Sequence, residues 1–186
     1  MKYKRLFLKL SEEEIQEAIQ RFHFEDHHEL IYSLIPGLDH WIKPEFYYFY
    51  EKSCSDCVNV VVTLGDLVDK RNQEFQQQEH FLEAHALDCL SLALLSQSYE
   101  KIKEIIYREK RQFLTNMYFP EESRVPELIR SFQEKDPDFP VRLNPAGALI
   151  PSKTVVFQGK LSIYHQELST GCQHCSNRTC VFRKEN

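Results

Sequence analysis

The sequence predicts an α+β fold, a twisted and mainly antiparallel sheet with helices packed against it. An aromatic run, PEFYYFYEKS at 44–53, is followed closely by a β-branched run, VNVVVTLG at 58–65, so two strands follow one another with no helix between them. A long helical stretch then fills the middle of the chain, from Asp66 to about Arg108. Extended segments return only after it, so strands and helices do not alternate as βαβ units.

Ser11 with Glu14 makes a capping-box signature, and Ile15, Ala18, Ile19 and Phe22 recur at helical spacing behind it, predicting a short amphipathic first helix. Asp26 with Glu29 repeats the start signal, and Leu30, Ile31, Leu34, Ile35 and Leu38 mark a second helix, with a break expected near Pro36 and Gly37. The 66–108 stretch exceeds an ordinary globular helix and is expected as two helices with a bend around 77–80. RQFLTNMYFP at 111–120 reads as extended, and VPELIRSFQ at 125–133 as a helix with Pro126 near its first position. VRLNP, GALIPSK and TVVFQGKLSIYH read as strand, turn and strand. The organisation expected is one compact domain: an N-terminal helical segment over 1–43, an α+β core over 44–168 and a cysteine-rich tail over 169–186.

The chain has 186 residues, 42% of them hydrophobic and 12% aromatic, with a formal net charge of −5. That composition suits a folded globular chain and excludes a disordered or fibrous one. Lys and Arg are scattered rather than striped, which argues against nucleic acid as a partner. The start, MKYKRLFLKLSEEE, has an apolar run broken by charge and no small-residue cleavage site, so no signal peptide is read. The most apolar stretch, LDCLSLALL at 87–95, is about half of the roughly 20 residues a membrane helix needs. A soluble, cytoplasmic protein is expected, in which the 6 cysteines are thiols or metal ligands rather than structural disulfides.

Three of those cysteines, Cys172, Cys175 and Cys180, crowd the tail GCQHCSNRTCVFR. Thiolates two residues apart can grip one tetrahedral zinc or one iron of an iron–sulfur cluster, because a tight turn aims both sulfurs inward. A fourth position would be filled by Cys57, Cys54, His174 or His165, with Cys57 the first candidate. Zinc would serve a structural role and an iron–sulfur cluster a reductive one; a reduced tail without metal is the plain alternative. Asp88, inside an apolar helix face, reads as a buried carboxylate bonded to nearby backbone amides, with a site acid as the functional alternative. His80 and His85 are five apart, poor spacing for shared ligation, and read as surface residues, as do His27 and His28. The run EFYYFY reads as core. No Ser-His-Asp, phosphate-loop or HExxH arrangement occurs, which disfavours an autonomous hydrolase.

The stretch RLNPAGALIPSKTVVFQGKLS, from Arg142 to Ser162, resembles the activation domain of cobalamin-dependent methionine synthase. Its IPSKTV core is most similar to the short stand-alone branch of that family. Three further blocks resemble the family in the same order: CVNVVVTLGDLVDK from Cys57 to Lys70, EAHALDCLSLALL from Glu83 to Leu95 with Asp88 and Ser91, and the CxxCxxxxCxxR tail from Cys172 to Arg183. The resemblance covers roughly residues 57–183. It implies an α+β fold and binding of S-adenosylmethionine, with Tyr118 and the turn residues Ala148, Leu149 and Pro151 as ligand contacts. It also implies docking onto a cobalamin-binding methyltransferase or corrinoid protein, whose cobalamin is reactivated with electrons from flavodoxin or another donor. The chain would then be an accessory or partial component rather than a complete enzyme. The family's Arg-x-x-x-Gly-Tyr motif aligns with FLTNMY, which keeps Tyr118 and has Phe113 and Met117 for the arginine and glycine. Asn144, Pro145 and Ala146 stand where the family commonly has Thr-Glu-Ser. These departures open a second reading, a metal- or iron–sulfur-bearing corrinoid accessory that has lost S-adenosylmethionine binding, and a third, a structural paralogue with an unrelated ligand.

Overall fold

The structure, a computed structural model, describes residues 1–165. In chain order its elements are β1 (Lys2–Arg5), α1 (Glu12–Arg21), α2 (His28–Trp41), β2 (Glu45–Tyr50), β3 (Cys57–Thr63), α3 (Leu67–Gln77), α4 (Phe81–Lys110), β4 (Phe113–Tyr118), α5 (Val125–Gln133), β5 (Arg142–Leu143), β6 (Leu149–Ile150) and β7 (Thr154–Ser162). The fold is α+β, as expected. Strands β1-β2-β3-β7-β4 form one sheet in that order, each neighbouring pair antiparallel, and β5 with β6 forms a small separate hairpin.

The first helix starts as its signature predicts. The Glu14 amide donates to Ser11 Oγ at 3.2 Å and the Ser11 amide to Glu14 Oε2 at 2.7 Å, so both orphan donors are satisfied. The second helix does not break: α2 runs through Pro36 to Trp41. Proline costs this helix one hydrogen bond, and burial of Leu34 and Leu38 on either side offsets it. Trp41 also lies back over Gly37, where a Cβ would come within 2.3 Å of the indole. The bend expected at 77–80 is a complete break between α3 and α4, with Glu79 at φ 62°.

The 1–43 segment is not wholly helical, because it opens with β1. Lys2 pairs with Tyr48 and Arg5 with Glu45, adding an edge strand whose four side chains are all exposed. An edge strand with no buried face carries no alternating pattern, which is why its sequence does not announce it.

The sheet has two covered faces. Phe46, Tyr48, Val58, Val60, Val62, Phe157, Leu161 and Leu114 point to the side packed by α1 to α4, including the buried Ala84, Leu87, Leu90, Leu94, Ile102 and Ile106 of α4. Tyr47, Val61 and Val156 point to the other side, under Ile129 and Phe132 of α5 with Phe139, Val141 and Leu149. Register explains the split, since Tyr47, Val61 and Val156 are cross-strand partners in successive pairs. The aromatic run of β2 is therefore core on both faces, as expected.

Candidate functional site

The hairpin of β5 and β6 is tied at its tip by Asn144. Its Oδ1 accepts from the amides of Ala146 and Ala148, both at 2.9 Å, and Gly147 takes the left-handed conformation at φ 82° that the turn requires. Ala148 is exposed at this tip, Leu149 packs into the cluster under α5, and Pro151 is buried after a cis peptide bond from Ile150.

Immediately after Pro151 the chain is clasped from two helices. The Ser152 amide and Oγ donate to Asp69 Oδ2 and Oδ1 of α3 at 2.7 and 2.6 Å. Lys153 Nζ reaches Asp88 Oδ1 of α4 at 2.8 Å, and the same oxygen accepts from Asn72 Nδ2 of α3 at 2.9 Å. The Lys153 carbonyl accepts from the Leu64 amide at 2.9 Å, and Thr154 donates its hydroxyl to Thr63 at 2.8 Å. The end of β3, the start of α3, the N-terminal third of α4 and the Ile150–Lys153 turn thus meet in one place. Asp88 is not the backbone-bonded carboxylate expected: its side chain is 43% exposed and its partners are a lysine and an asparagine. It sits on the rim of the α3–α4 seam, where both side chains reach it. Asp69, Ser152 and Lys153 are absent from the site residues read from sequence, although a carboxylate in an apolar helix and a Ser-Lys pair after a proline are the signals that mark this cluster.

Tyr118 ends β4 opposite Gln158 and is 51% exposed. Gln158 donates to Asn59 Oδ1 at 3.2 Å, and Asn59 in turn donates to Glu51 Oε2 at 2.8 Å, so a polar row runs across the sheet beside the tyrosine. This is the sheet face under which Leu149 packs, since Val156 and Gln158 are two residues apart on one strand. Tyr118 and the hairpin therefore flank one face, but Gln158 lies four residues, about 13 Å, along β7 from Thr154. Phe113 stacks on Tyr107 with centroids 4.7 Å apart, and Met117 packs against the helical core. Both are spent on packing.

Cys57 opens β3, and its sulfur is joined to Cys54 in a disulfide, the two Cα atoms 5.3 Å apart. This corrects two expectations, that the cysteines are all reduced and that Cys57 stands as a free thiolate beside the tail. The cause is local: the Cys57 amide donates to the Cys54 carbonyl at 3.2 Å, closing a turn that brings the two sulfurs together. Asp56 lies inside that turn. One ligand atom from each of Cys54, Asp56 and Cys57 falls within 4.8 Å of the others. Lys160 Nζ pairs with Asp56 Oδ2 at 2.6 Å and, through that hydrogen bond first, holds the carboxyl below its usual range. Cys89 is the free thiol among the described residues; burial pushes it up to about 11, so it is inert as a nucleophile.

Cys172, Cys175, Cys180 and His174 lie outside the described residues. His165, the last of the described residues, meets the Phe113 ring edge-on at 5.0 Å. His80 and His85 are exposed, as expected. Among the described residues no helix is long and apolar enough to cross a membrane.

No family model matches the chain, and no curated protein matches it.

Proposed function

We propose that the chain is a stand-alone accessory of the kind its sequence resembles, a methionine synthase activation-like protein. In the cytoplasm it supports reductive reactivation and S-adenosylmethionine-dependent remethylation of a cobalamin-dependent methyltransferase. The observation that carries this reading is the clasp. Three blocks that resemble the family in sequence order, running from Cys57 to Lys70, from Glu83 to Leu95 with Asp88, and from Arg142 to Ser162 with Ile150–Lys153, are brought together by Leu64, Asp69, Asp88, Ser152 and Lys153. Segments that share a family's order and then meet in space fit a common functional edge better than chance similarity.

The partner's corrinoid and the bound S-adenosylmethionine would supply the chemistry, with an electron from flavodoxin or another donor. This chain would bind and orient. Ala148, Leu149 and Pro151 form one edge of the binding face, and Tyr118 with Gln158 the other. Packed Phe113 and Met117 offer neither a guanidinium fork for the ligand's carboxylate nor a close backbone approach. Their packing favours the second reading, a corrinoid-protein accessory that carries zinc or an iron–sulfur cluster and does not bind S-adenosylmethionine.

Calorimetry with S-adenosylmethionine on the purified chain, with metal content determined on the same sample, separates the two. Saturable binding weakened by Tyr118→Ala is expected on the first reading. Absence of binding with stoichiometric zinc or iron, lost on Cys172→Ser, selects the second; absence of both rejects each.

A further inference from the structure

The turn between β2 and β3 carries chemistry that the function above does not use. Cys54 Sγ lies 3.1 Å from Asp56 Oδ1, yet a disulfide sulfur has no proton to donate, so two electron-rich atoms are in direct contact. Asp56 is anchored to hold this position. Its carbonyl accepts from the Leu161 amide at 2.7 Å, and its other carboxylate oxygen is engaged by Lys160, which sits opposite Cys57 in the β3–β7 register. The bridge itself adds little as a crosslink. It closes a loop three residues apart in sequence, the case in which a disulfide restricts the unfolded chain least. Backbone hydrogen bonds already close the turn from Cys57 to Cys54 and from Glu51 to Cys57.

We propose that Cys54, Asp56 and Cys57 form a redox-gated site for a soft or borderline divalent cation such as zinc, closed as the disulfide and opened by a dithiol reductant. A thiolate of the reductant attacks one sulfur of the bridge and breaks it, forming a mixed disulfide. The second thiol of the reductant then displaces the protein sulfur. The protein gains two electrons and two protons as two thiols, and the reductant leaves as its own disulfide. The cation then replaces the two thiol protons, binding both sulfurs and Asp56 Oδ1, with a fourth position left for water or an incoming ligand. Asp56 Oδ2 stays on Lys160, which orients the carboxylate and offsets the negative charge of two thiolates and a carboxylate around a dication. The proposal draws on none of the tail cysteines and stands whether or not S-adenosylmethionine binds.

The test uses the full chain with Cys172, Cys175 and Cys180 changed to Ser, so that the thiols of this turn and buried Cys89 remain. The protein is reduced with dithiothreitol, desalted under argon and titrated with cobalt(II), whose sulfur-to-metal charge-transfer band reports thiolate ligation. One equivalent of cobalt with a two-thiolate band in the reduced form, and none in the oxidised form, is the expected result. Cys54→Ser with Cys57→Ser abolishes the band. Asp56→Asn keeps the thiolates but weakens binding by at least about tenfold. Circular dichroism confirms that each variant folds. No band in the folded, reduced protein, equal binding before and after reduction, or unchanged affinity in Asp56→Asn overturns the proposal.

Discussion

Lys153 and Asp88 form an unequal ion pair: their charged atoms are 2.8 Å apart, but the lysine side chain is 15% exposed and the aspartate 43%. The two partners are therefore not equally costly to strand. Asp88→Ala leaves a largely covered lysine side chain without its anion, at a cost of about 1–3 kcal/mol. Lys153→Met leaves a carboxylate that still accepts from Asn72 and is partly hydrated, and costs less. Urea unfolding of both variants checks the asymmetry; equal losses would show that exposure does not govern this pair.

Ser152 is held to Asp69 by two donors on one carboxylate. Asp69→Ala is expected to destabilise by about 1 kcal/mol and to speed hydrogen exchange at the Ser152 amide. If the clasp shapes the binding edge, S-adenosylmethionine affinity falls with it, while the remote Ser11→Ala loses a helix cap and leaves affinity unchanged. The cap loss costs about 0.5–2 kcal/mol.

Gly159 lies where β7 crosses the helical core, and a Cβ there would come within 2.4 Å of Leu114 Cδ1 and 2.8 Å of Val58 Cγ1. Valine is stiff about its side-chain bond, so the clash cannot be relieved by the leucine tip alone. Gly159→Ala should cost about 1–3 kcal/mol. Adding Leu114→Ala should recover part of that loss, and a double-mutant cycle by thermal melting reads the coupling.

The Tyr50 hydroxyl is buried and has no hydrogen-bond partner among the described residues, while Lys110 lies 4.2 Å over its ring. Burial, with Glu109 nearby, raises its pKa from 10.0 to about 12. The folded state keeps a proton that the unfolded chain releases, so this group's contribution to stability falls as pH rises from 10.0 to about 12. Tyr50→Phe removes the stranded hydroxyl, should be neutral or stabilising by up to about 1 kcal/mol at pH 7, and should flatten that alkaline loss. A steeper loss in the variant, measured by denaturation across that window, would contradict this account.

Much of the secondary structure is legible in the chain because its signals are local. The capping box at Ser11 and Glu14, the β-branched run of β3, the break between α3 and α4 and the proline at the start of α5 each act over a few residues. Pro36 misleads for the complementary reason. Its local cost is real, but burial around Leu34 and Leu38 outweighs it.

The residues of the chain were sufficient to specify an α+β class, the aromatic core strand and the exposed histidines, since propensity and periodicity depend on near neighbours. Three features arise only when distant segments pack: the edge strand β1, whose partner is β2; the clasp of Ser152 on Asp69, 83 residues apart; and the anchoring of Asp56 by Lys160. Each is a pairing of polar groups whose partner is chosen by sheet register and helix placement, and a one-dimensional pattern of apolar residues holds no record of that choice.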